Sequence, residues 1–109
     1  MKHITEEIVV GMQTYTAIIS YDHSKHRNAP ITIYINQKDN KILDDYVYTI
    51  ADSSTYLHRA RTDDQLKSLN QYLVKKFKVP VYLSVSGDAE YSNVEMFRSI
   101  VDLIEPTYT

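Results

Sequence analysis

The stretch of sequence that decides the fold reads Ile31-Thr32-Ile33-Tyr34-Ile35-Asn36. Isoleucine occupies every second position, and the residues between are polar or aromatic. Successive side chains of a β-strand point to opposite faces, so this alternation is typical of a strand with one buried face. The stretch predicts a strand whose isoleucine side lies against the core of the protein.

A second strand of the same kind follows in the C-terminal half. Its apolar positions are Val81, Leu83 and Val85, and its other face carries Tyr82, Ser84 and Ser86. The pattern stops at Gly87, where a glycine followed by aspartate indicates a turn. These two strands are the clearest in the sequence.

Two further strands are predicted before Ile31. Residues 7–10 and 14–21 are rich in β-branched and aromatic residues, and Gly11 lies between them. This arrangement predicts a hairpin with Gly11 at or near its turn. Residues 22–28 are charged and show no periodicity, which indicates a solvent-exposed loop.

A fourth strand is predicted over residues 46–51, after a polar turn at residues 37–41. Because consecutive strands usually pair, we expect it to run antiparallel to the strand that begins at Ile31. Its sequence leaves open which of its faces points inward.

Two helices are predicted in the C-terminal half, and each begins at a capping box, at residues 62–65 and 92–95. The apolar stripe of the first helix consists of Leu66, Leu69, Leu73 and Phe77, with Tyr72 beside them. Positive charge suits the end of this helix, where the chain carries Lys75, Lys76 and Lys78 before the helix-breaking Pro80. The stripe of the second helix, which Pro106 ends, consists of Phe97, Ile100, Val101 and Ile104.

The predicted order is therefore four strands, a helix, a strand and a helix. Strands first and helices later are typical of an α+β domain whose helices lie on one side of a mainly antiparallel sheet. We expect a sheet or sandwich of five to six strands with two helices, in the order ββββ-α-β-α. The length of 109 residues suits a single domain over residues 1–109.

The composition argues against several classes of function. A net charge of −2 gives no overall attraction to nucleic acid or to an anionic membrane. The absence of cysteine excludes disulfides and thiolate metal sites. The N-terminal residues are too polar for a signal peptide, and no apolar run reaches the roughly 18 residues of a membrane span. We expect the protein in the cytoplasm, with the nucleus as a second compartment.

Motifs for catalysis or metal binding are weak. His23 and His26 lie in a basic loop, and no carboxylate is spaced to complete a zinc site with them. The acidic pairs at residues 44–45 and 63–64 have structural explanations, the second because negative charge is favoured in the first turn of a helix. The run of residues 84–87 lacks the first glycine of the nucleophile motif G-x-S-x-G. We expect no catalytic residue, no cofactor and no metal.

Tyrosine is the aromatic residue that this chain favours. There are ten tyrosines, two phenylalanines and no tryptophan, and tyrosine suits half-buried sheet positions and protein interfaces. If the aliphatic residues of the two clearest strands face the helices, the residues between them face the side of the sheet that two helices leave uncovered. We predict a partner interface there, formed by Thr32, Tyr34, Tyr46, Tyr48, Tyr82 and Ser84.

The second strand leaves two ways to extend this predicted interface. Depending on its facing, it contributes either Ile18 or the set of Tyr15, Ile19 and Tyr21. The alternative to an interface is that the tyrosines are scattered surface aromatics of a monomer.

Two segments carry a resemblance to a known family. Residues 7–14, which continue into residues 17–20, are similar to the opening hairpin of the third of the small proteasome assembly chaperones. Residues 73–84, followed by a short loop and a final helix, are similar to the helix, basic turn, strand and helix that close both the third and the fourth members. The order of segments also resembles this family over most of the chain. Residues 23–28 and 53–61 show no clear correspondence.

The resemblance implies a fold of about six strands with two helices and a function by binding alone. Chaperones of this family pair as heterodimers and bind the fifth alpha-ring subunit during early assembly of the 20S core. The partners implied here are a second small chaperone and an alpha-type proteasome subunit. Two other classes stay open: a small dimerising scaffold or adaptor of another complex, and a small enzyme, which a deep cavity with converging titratable groups would reveal.

Overall fold

The computed structural model describes residues 2–22, 29–37, 45–50, 53–58, 65–86 and 91–106. In chain order they form β1 (Lys2–Val10), β2 (Gln13–Tyr21), β3 (Ile31–Gln37), β4 (Asp45–Ile50), β5 (Ser53–His58), α1 (Gln65–Phe77), β6 (Val81–Ser86) and α2 (Asn93–Ile104). The predicted α+β class, with six strands and two helices, is confirmed. The structure adds β5 between β4 and α1, which the sequence pattern does not predict because Ser53, Ser54 and Thr55 give it no aliphatic face.

The six strands form one sheet in the order β1-β2-β3-β6-β4-β5. Neighbouring strands are antiparallel except β3 and β6, which are parallel. The predicted pairing of β3 with β4 is wrong, because β6 lies between them and pairs with both. The reason lies in burial: β6 is buried on both faces, with Leu83 on one and Ser84 on the other, so it belongs in the centre of the sheet.

Both helices pack on one face of the sheet, α1 against β4 and β6 and α2 against β1, and they contact each other. The core between helices and sheet is aliphatic at its centre, where Ile33, Leu69 and Ile100 are fully buried. The alternation predicted for β3 and β6 is confirmed, since the aliphatic residues of both strands lie in this core. No helix of the described ranges has the length and apolar character needed to cross a membrane.

The ends of several elements agree with their sequence signals. Gly11 follows β1 with a φ of 64°, the left-handed conformation that a two-residue hairpin turn requires of its first central residue. Ser92 caps α2, and its hydroxyl accepts the backbone N–H of Glu95 at 3.5 Å. The capping box predicted at residues 62–65 lies largely outside the described residues, and α1 is observed from Gln65. Lys78 ends α1 in the left-handed conformation with a φ of 59°.

One prediction about the helix stripes needs correction. Tyr72 is not part of the buried stripe of α1: its side chain is 51% exposed, and its ring meets the edge of Phe97. Asn70 is fully buried in its place, because its side-chain amide donates to the Thr49 hydroxyl and to the Val81 carbonyl, both at 2.9 Å. The side-chain amide thus ties α1 to β4 and β6. In α2, Met96 joins the core, and Phe97 is half-buried.

Candidate functional site

The face of the sheet opposite the helices is the candidate functional site, and we call it the open face. It follows from strand alternation and register, because residues paired across neighbouring strands point to the same side. From β2 to β5 in sheet order, the open face consists of Thr14, Thr16, Ile18, Ser20, Thr32, Tyr34, Asn36, Tyr82, Ser84, Ser86, Tyr46, Tyr48, Ile50, Ser53 and Thr55.

The open face carries no charged side chain from β2 to β5 among the residues whose side chains are described. Charged residues make up 24% of the whole chain, so this area departs from the rest of the surface. At the margin of the open face, Glu7 of β1 is charged and exposed. Solvent-facing strands normally carry charges that favour solubility, whereas the centre of a protein interface is depleted of them. The open face has the composition of an interface centre.

A cluster of four tyrosines lies in the middle of the open face, and we call it the tyrosine cluster. Its members are Tyr34, Tyr46, Tyr48 and Tyr82. The ring centroids of Tyr48 and Tyr82 are 4.3 Å apart, and those of Tyr34 and Tyr46 are 5.6 Å apart. All four side chains are half-buried, so they present ring edges and faces to the outside while supporting one another.

The hydroxyl groups of Tyr34 and Tyr46 form a hydrogen bond at 3.1 Å. Burial first, and then this hydrogen bond and the nearby Tyr34 and Tyr82, raise the pKa of Tyr46 above its ordinary value. The Tyr46 phenol is therefore neutral across the physiological pH range. A neutral aromatic surface loses little solvation when a second apolar or hydroxyl-bearing surface covers it.

Ser84 lies beneath two members of the cluster. It pairs with Tyr34 on one neighbouring strand and with Tyr46 on the other, and the hydroxyls of these tyrosines meet above it. The Ser84 side chain is 1% exposed and its hydroxyl has no hydrogen-bond partner. Ser84 therefore lies on the predicted face, but it is a spacer below the tyrosines rather than a group that a partner can touch.

The structure shows which side chains of β2 and β4 lie on the helix side and which lie on the open face, a question that the sequence did not decide. In β4, Val47 and Thr49 are buried on the helix side, so Tyr46 and Tyr48 lie on the open face. In β2, Ile18 is the aliphatic residue on the open face, and it is 39% exposed. The alternative set, Tyr15, Ile19 and Tyr21, is buried on the helix side. The desolvation of Tyr15 raises the pKa of its phenol.

Sequence reasoning missed Ile50 as a member of the open face. Its side chain is 49% exposed at the end of β4, two residues beyond Tyr48. The same period of two that places Tyr46 and Tyr48 together also places Ile50 with them, so the signal was in the sequence. Ile50 extends the apolar part of the open face toward one end of the sheet.

Metal-binding and titratable clusters are weak in the described residues. They contain no group of three or more His, Asp or Glu that could hold a metal ion. The pair His23 and His26 and the acidic residues Asp44, Asp63 and Asp64 lie outside the described residues, so those predictions stay untested. An open groove runs between β1 and α2, and its titratable lining residues, Lys2, His3, Glu6 and Asp102, are exposed. The basic end of α1 has a structural role, since Lys76 forms an ion pair with Glu105 beyond α2 at 3.0 Å.

Comparison with known proteins identifies a shared fold. No family model and no curated protein matches the chain. A chain of the crystal structure described as a novel chaperone complex for yeast 20S proteasome assembly matches with a TM-score of 0.74 and 19% sequence identity. The match covers 99% of this chain and 98% of that chain. The two chains share one fold over nearly their whole lengths, which confirms the fold that the sequence resemblance implied.

Proposed function

We propose that this protein is a non-enzymatic chaperone that acts, as a dimer with a related small chaperone, in early assembly of the 20S proteasome core. The observation that carries the proposal is the open face, whose described side chains from β2 to β5 are uncharged and include the tyrosine cluster. The fold shared with a chain of the yeast chaperone complex supports the choice of process.

The dimer contact in this proposal is a packing of two sheets. Sheets that pack face to face lie about 10 Å apart and interdigitate their side chains. The tyrosine cluster supplies large side chains for such a contact, and Thr32 and Ile18 beside it supply smaller ones. Interface centres are rich in tyrosine and poor in charge, as this face is. The open face remains more polar than the helix side, which suits a contact that forms between separately folded subunits.

The client in this proposal is an alpha-type proteasome subunit, the fifth of the ring by family resemblance. With the open face covered by the chaperone partner, the helix side is left for the client. The proposed place of action is the cytoplasm. Function by binding alone is the part of the proposal that the tyrosine cluster supports, since tyrosine is typical of protein interfaces.

Affinity purification of the tagged full-length chain from its own cells, followed by mass spectrometry, tests the proposal. We expect a second small chaperone and alpha-type proteasome subunits in the same complex. The chaperone pair should also form from purified components, with the sheet faces protected from hydrogen exchange on mixing. Recovery of a complex without proteasome subunits would contradict the proposal and favour a scaffold or adaptor role.

A further inference from the structure

The two edges of the sheet differ in a way that the proposed function does not use. The edge strand β5 is six residues long, and a register shift of the kind that a β-bulge produces interrupts its pairing with β4 between Tyr46 and Val47. The other edge strand, β1, is nine residues long and pairs with β2 in an unbroken register. Bulges and short strands protect a sheet edge from pairing with other chains, and β1 has neither protection.

The backbone of β1 has a defined free side. In a hairpin with a two-residue turn, the residues that flank the turn form a hydrogen-bonded pair, here Val10 and Gln13. Hydrogen-bonded and non-hydrogen-bonded pairs alternate along an antiparallel ladder. Thr5 lies five positions before Val10, so Thr5 and Ile18 form a non-hydrogen-bonded pair. The N–H and C=O groups of Thr5 therefore point away from β2, toward the free edge, as do those of His3 and Glu7.

The charges of β1 are self-complementary in one antiparallel register. When Ile4 lies opposite Ile4 of a second copy, Lys2 lies opposite Glu6 at both ends of the contact, on the same face of the sheet. A shift of two residues places Ile4 opposite Glu6 and removes both Lys–Glu pairs. Edge lysines and glutamates normally repel a passing strand, but in this register each meets its opposite charge.

The space beside β1 also fits a second strand. The groove between β1 and α2 runs along this edge, and its lining includes the partly buried Ile4 and Leu103 as well as the exposed Lys2, Glu6 and Asp102. A strand laid along this groove would cover the apolar residues and leave the charged ones at its rim. This is the arrangement of strand addition at a sheet edge.

We propose that β1 is a self-association edge, at which two copies of this chain pair antiparallel with Ile4 at the two-fold axis. The partner is a second copy rather than a different chain because the Lys2–Glu6 complementarity comes from β1 itself. Pairing joins two sheets into one and leaves both open faces free. The proposal is therefore independent of the proposed chaperone function.

Sedimentation velocity of the purified full chain over a range of concentrations tests this proposal. Wild-type chain should show a reversible monomer–dimer equilibrium. Thr5→Pro should weaken the dimer at least about tenfold, because it removes an N–H that points away from β2, a position where an edge strand tolerates proline. Thr5→Ala keeps that N–H and should leave the equilibrium unchanged. Circular dichroism and chemical denaturation check that the Thr5→Pro chain stays folded.

Charge reversal tests the register. Lys2→Glu or Glu6→Lys alone should each weaken the dimer by about tenfold, because two opposite-charge pairs become like-charge pairs. The double variant Lys2→Glu with Glu6→Lys should restore the wild-type equilibrium to within about threefold, since the pairs return with their signs exchanged. This rescue distinguishes direct pairing from a general effect of charge on solubility.

Three results would overturn the proposal. The first is a wild-type chain that stays monomeric at every concentration. The second is a dimer that is unaffected by Thr5→Pro but dissociates in Tyr82→Lys, which would place the contact on the open face. The third is a charge-reversed double variant that dissociates as fully as the single variants. Each of these leaves the proposed chaperone pairing through the open face standing.

Discussion

The two faces of this sheet come from the same strands but carry different side chains. The helix face presents aliphatic residues such as Leu83 and Ile33, which are fully buried under the chain's own helices. The open face presents hydroxyls and tyrosines, with Tyr82 directly beside Leu83 in sequence. A face that the chain covers by itself can be fully apolar, because it never meets water in the folded state. A face that a second chain covers must also be tolerated by water before that chain arrives, and tyrosine meets both demands.

The largest expected effect is a difference in stability between a substitution on the helix face and one on the open face. Leu83→Ala opens a cavity in the fully buried core of the helix face, and we expect a loss of about 2–5 kcal/mol in the free energy of unfolding. Tyr82→Ala, one position away, should cost the isolated chain less, because its ring is half-buried and rests mainly on Tyr48. Urea denaturation of both variants measures the difference. Equal losses would show that the open face is part of the folding core.

The next effect is a difference in partner affinity between a substitution on the open face and one on the helix side. Tyr82→Lys places a charge in the uncharged centre of the open face, and we expect partner affinity to fall by about a hundredfold. The free energy of unfolding should fall by no more than about 3 kcal/mol, because the Tyr82 ring pairs with those of Tyr48 and Tyr46 and each pair provides about 0.5–1.5 kcal/mol. Tyr72→Lys is the matched control, because Tyr72 is an exposed tyrosine on the helix side. Titration calorimetry with the proposed chaperone partner measures both affinities. An equal loss of affinity in both variants would show that the open face is not the contact.

The contrast between the faces also explains how far the sequence predicts this structure. The alternation at Ile31, Ile33 and Ile35 predicts one covered and one uncovered side, and the structure confirms that geometry. The position of β6 between β3 and β4 could not be predicted in the same way, because the pairing partner of a strand depends on long-range burial rather than on local period. Strand β5 was not predicted, because an edge strand buries little side-chain surface and its sequence therefore lacks a regular aliphatic pattern.

Part of the candidate site could be predicted, because strand alternation decides which residues of one strand share a face, whereas contacts between strands are not encoded locally. Tyr34 and Tyr82 follow from the alternation of the two clearest strands, and the structure brings Tyr46 and Tyr48 beside them. The burial of Ser84 depends on two tyrosines that reach it from different strands, and no local pattern encodes that contact. Whether the tyrosine cluster contacts a partner stays a prediction, which the Tyr82→Lys measurement decides.

A smaller effect concerns the pH dependence of the open face. Burial and the hydrogen bond with Tyr34 raise the pKa of Tyr46 above its ordinary value of 10.0. As pH rises through 10, the unfolded chain releases this phenolic proton while the folded chain still holds it, so the free energy of unfolding falls above about pH 10 and is unaffected below it. Tyr46→Phe should reduce this fall. Denaturation at a series of pH values from about 8 to about 11 measures the slope, and identical slopes in wild type and Tyr46→Phe would contradict the assignment.

The smallest effect tests the helix that covers the other face. Lys78 ends α1 with a φ of 59°, and its N–H donates to the Val74 carbonyl at 2.7 Å, the geometry of a left-handed helix cap that glycine favours. The left-handed conformation costs a non-glycine residue about 1–2 kcal/mol, of which the greater freedom of glycine in the unfolded chain offsets about half. Lys78→Gly should therefore stabilise the chain by about 0.5–1 kcal/mol.

The control for this variant is Lys75→Gly, which lies within α1 and should destabilise the chain by about 1 kcal/mol. Neither variant touches the open face, so partner affinity should be unchanged in both. A destabilising Lys78→Gly would mean that the lysine side chain makes a stabilising contact worth more than the backbone strain. A stabilised Lys78→Gly chain with unaltered partner affinity would instead show that the helix face sets stability while the open face sets binding.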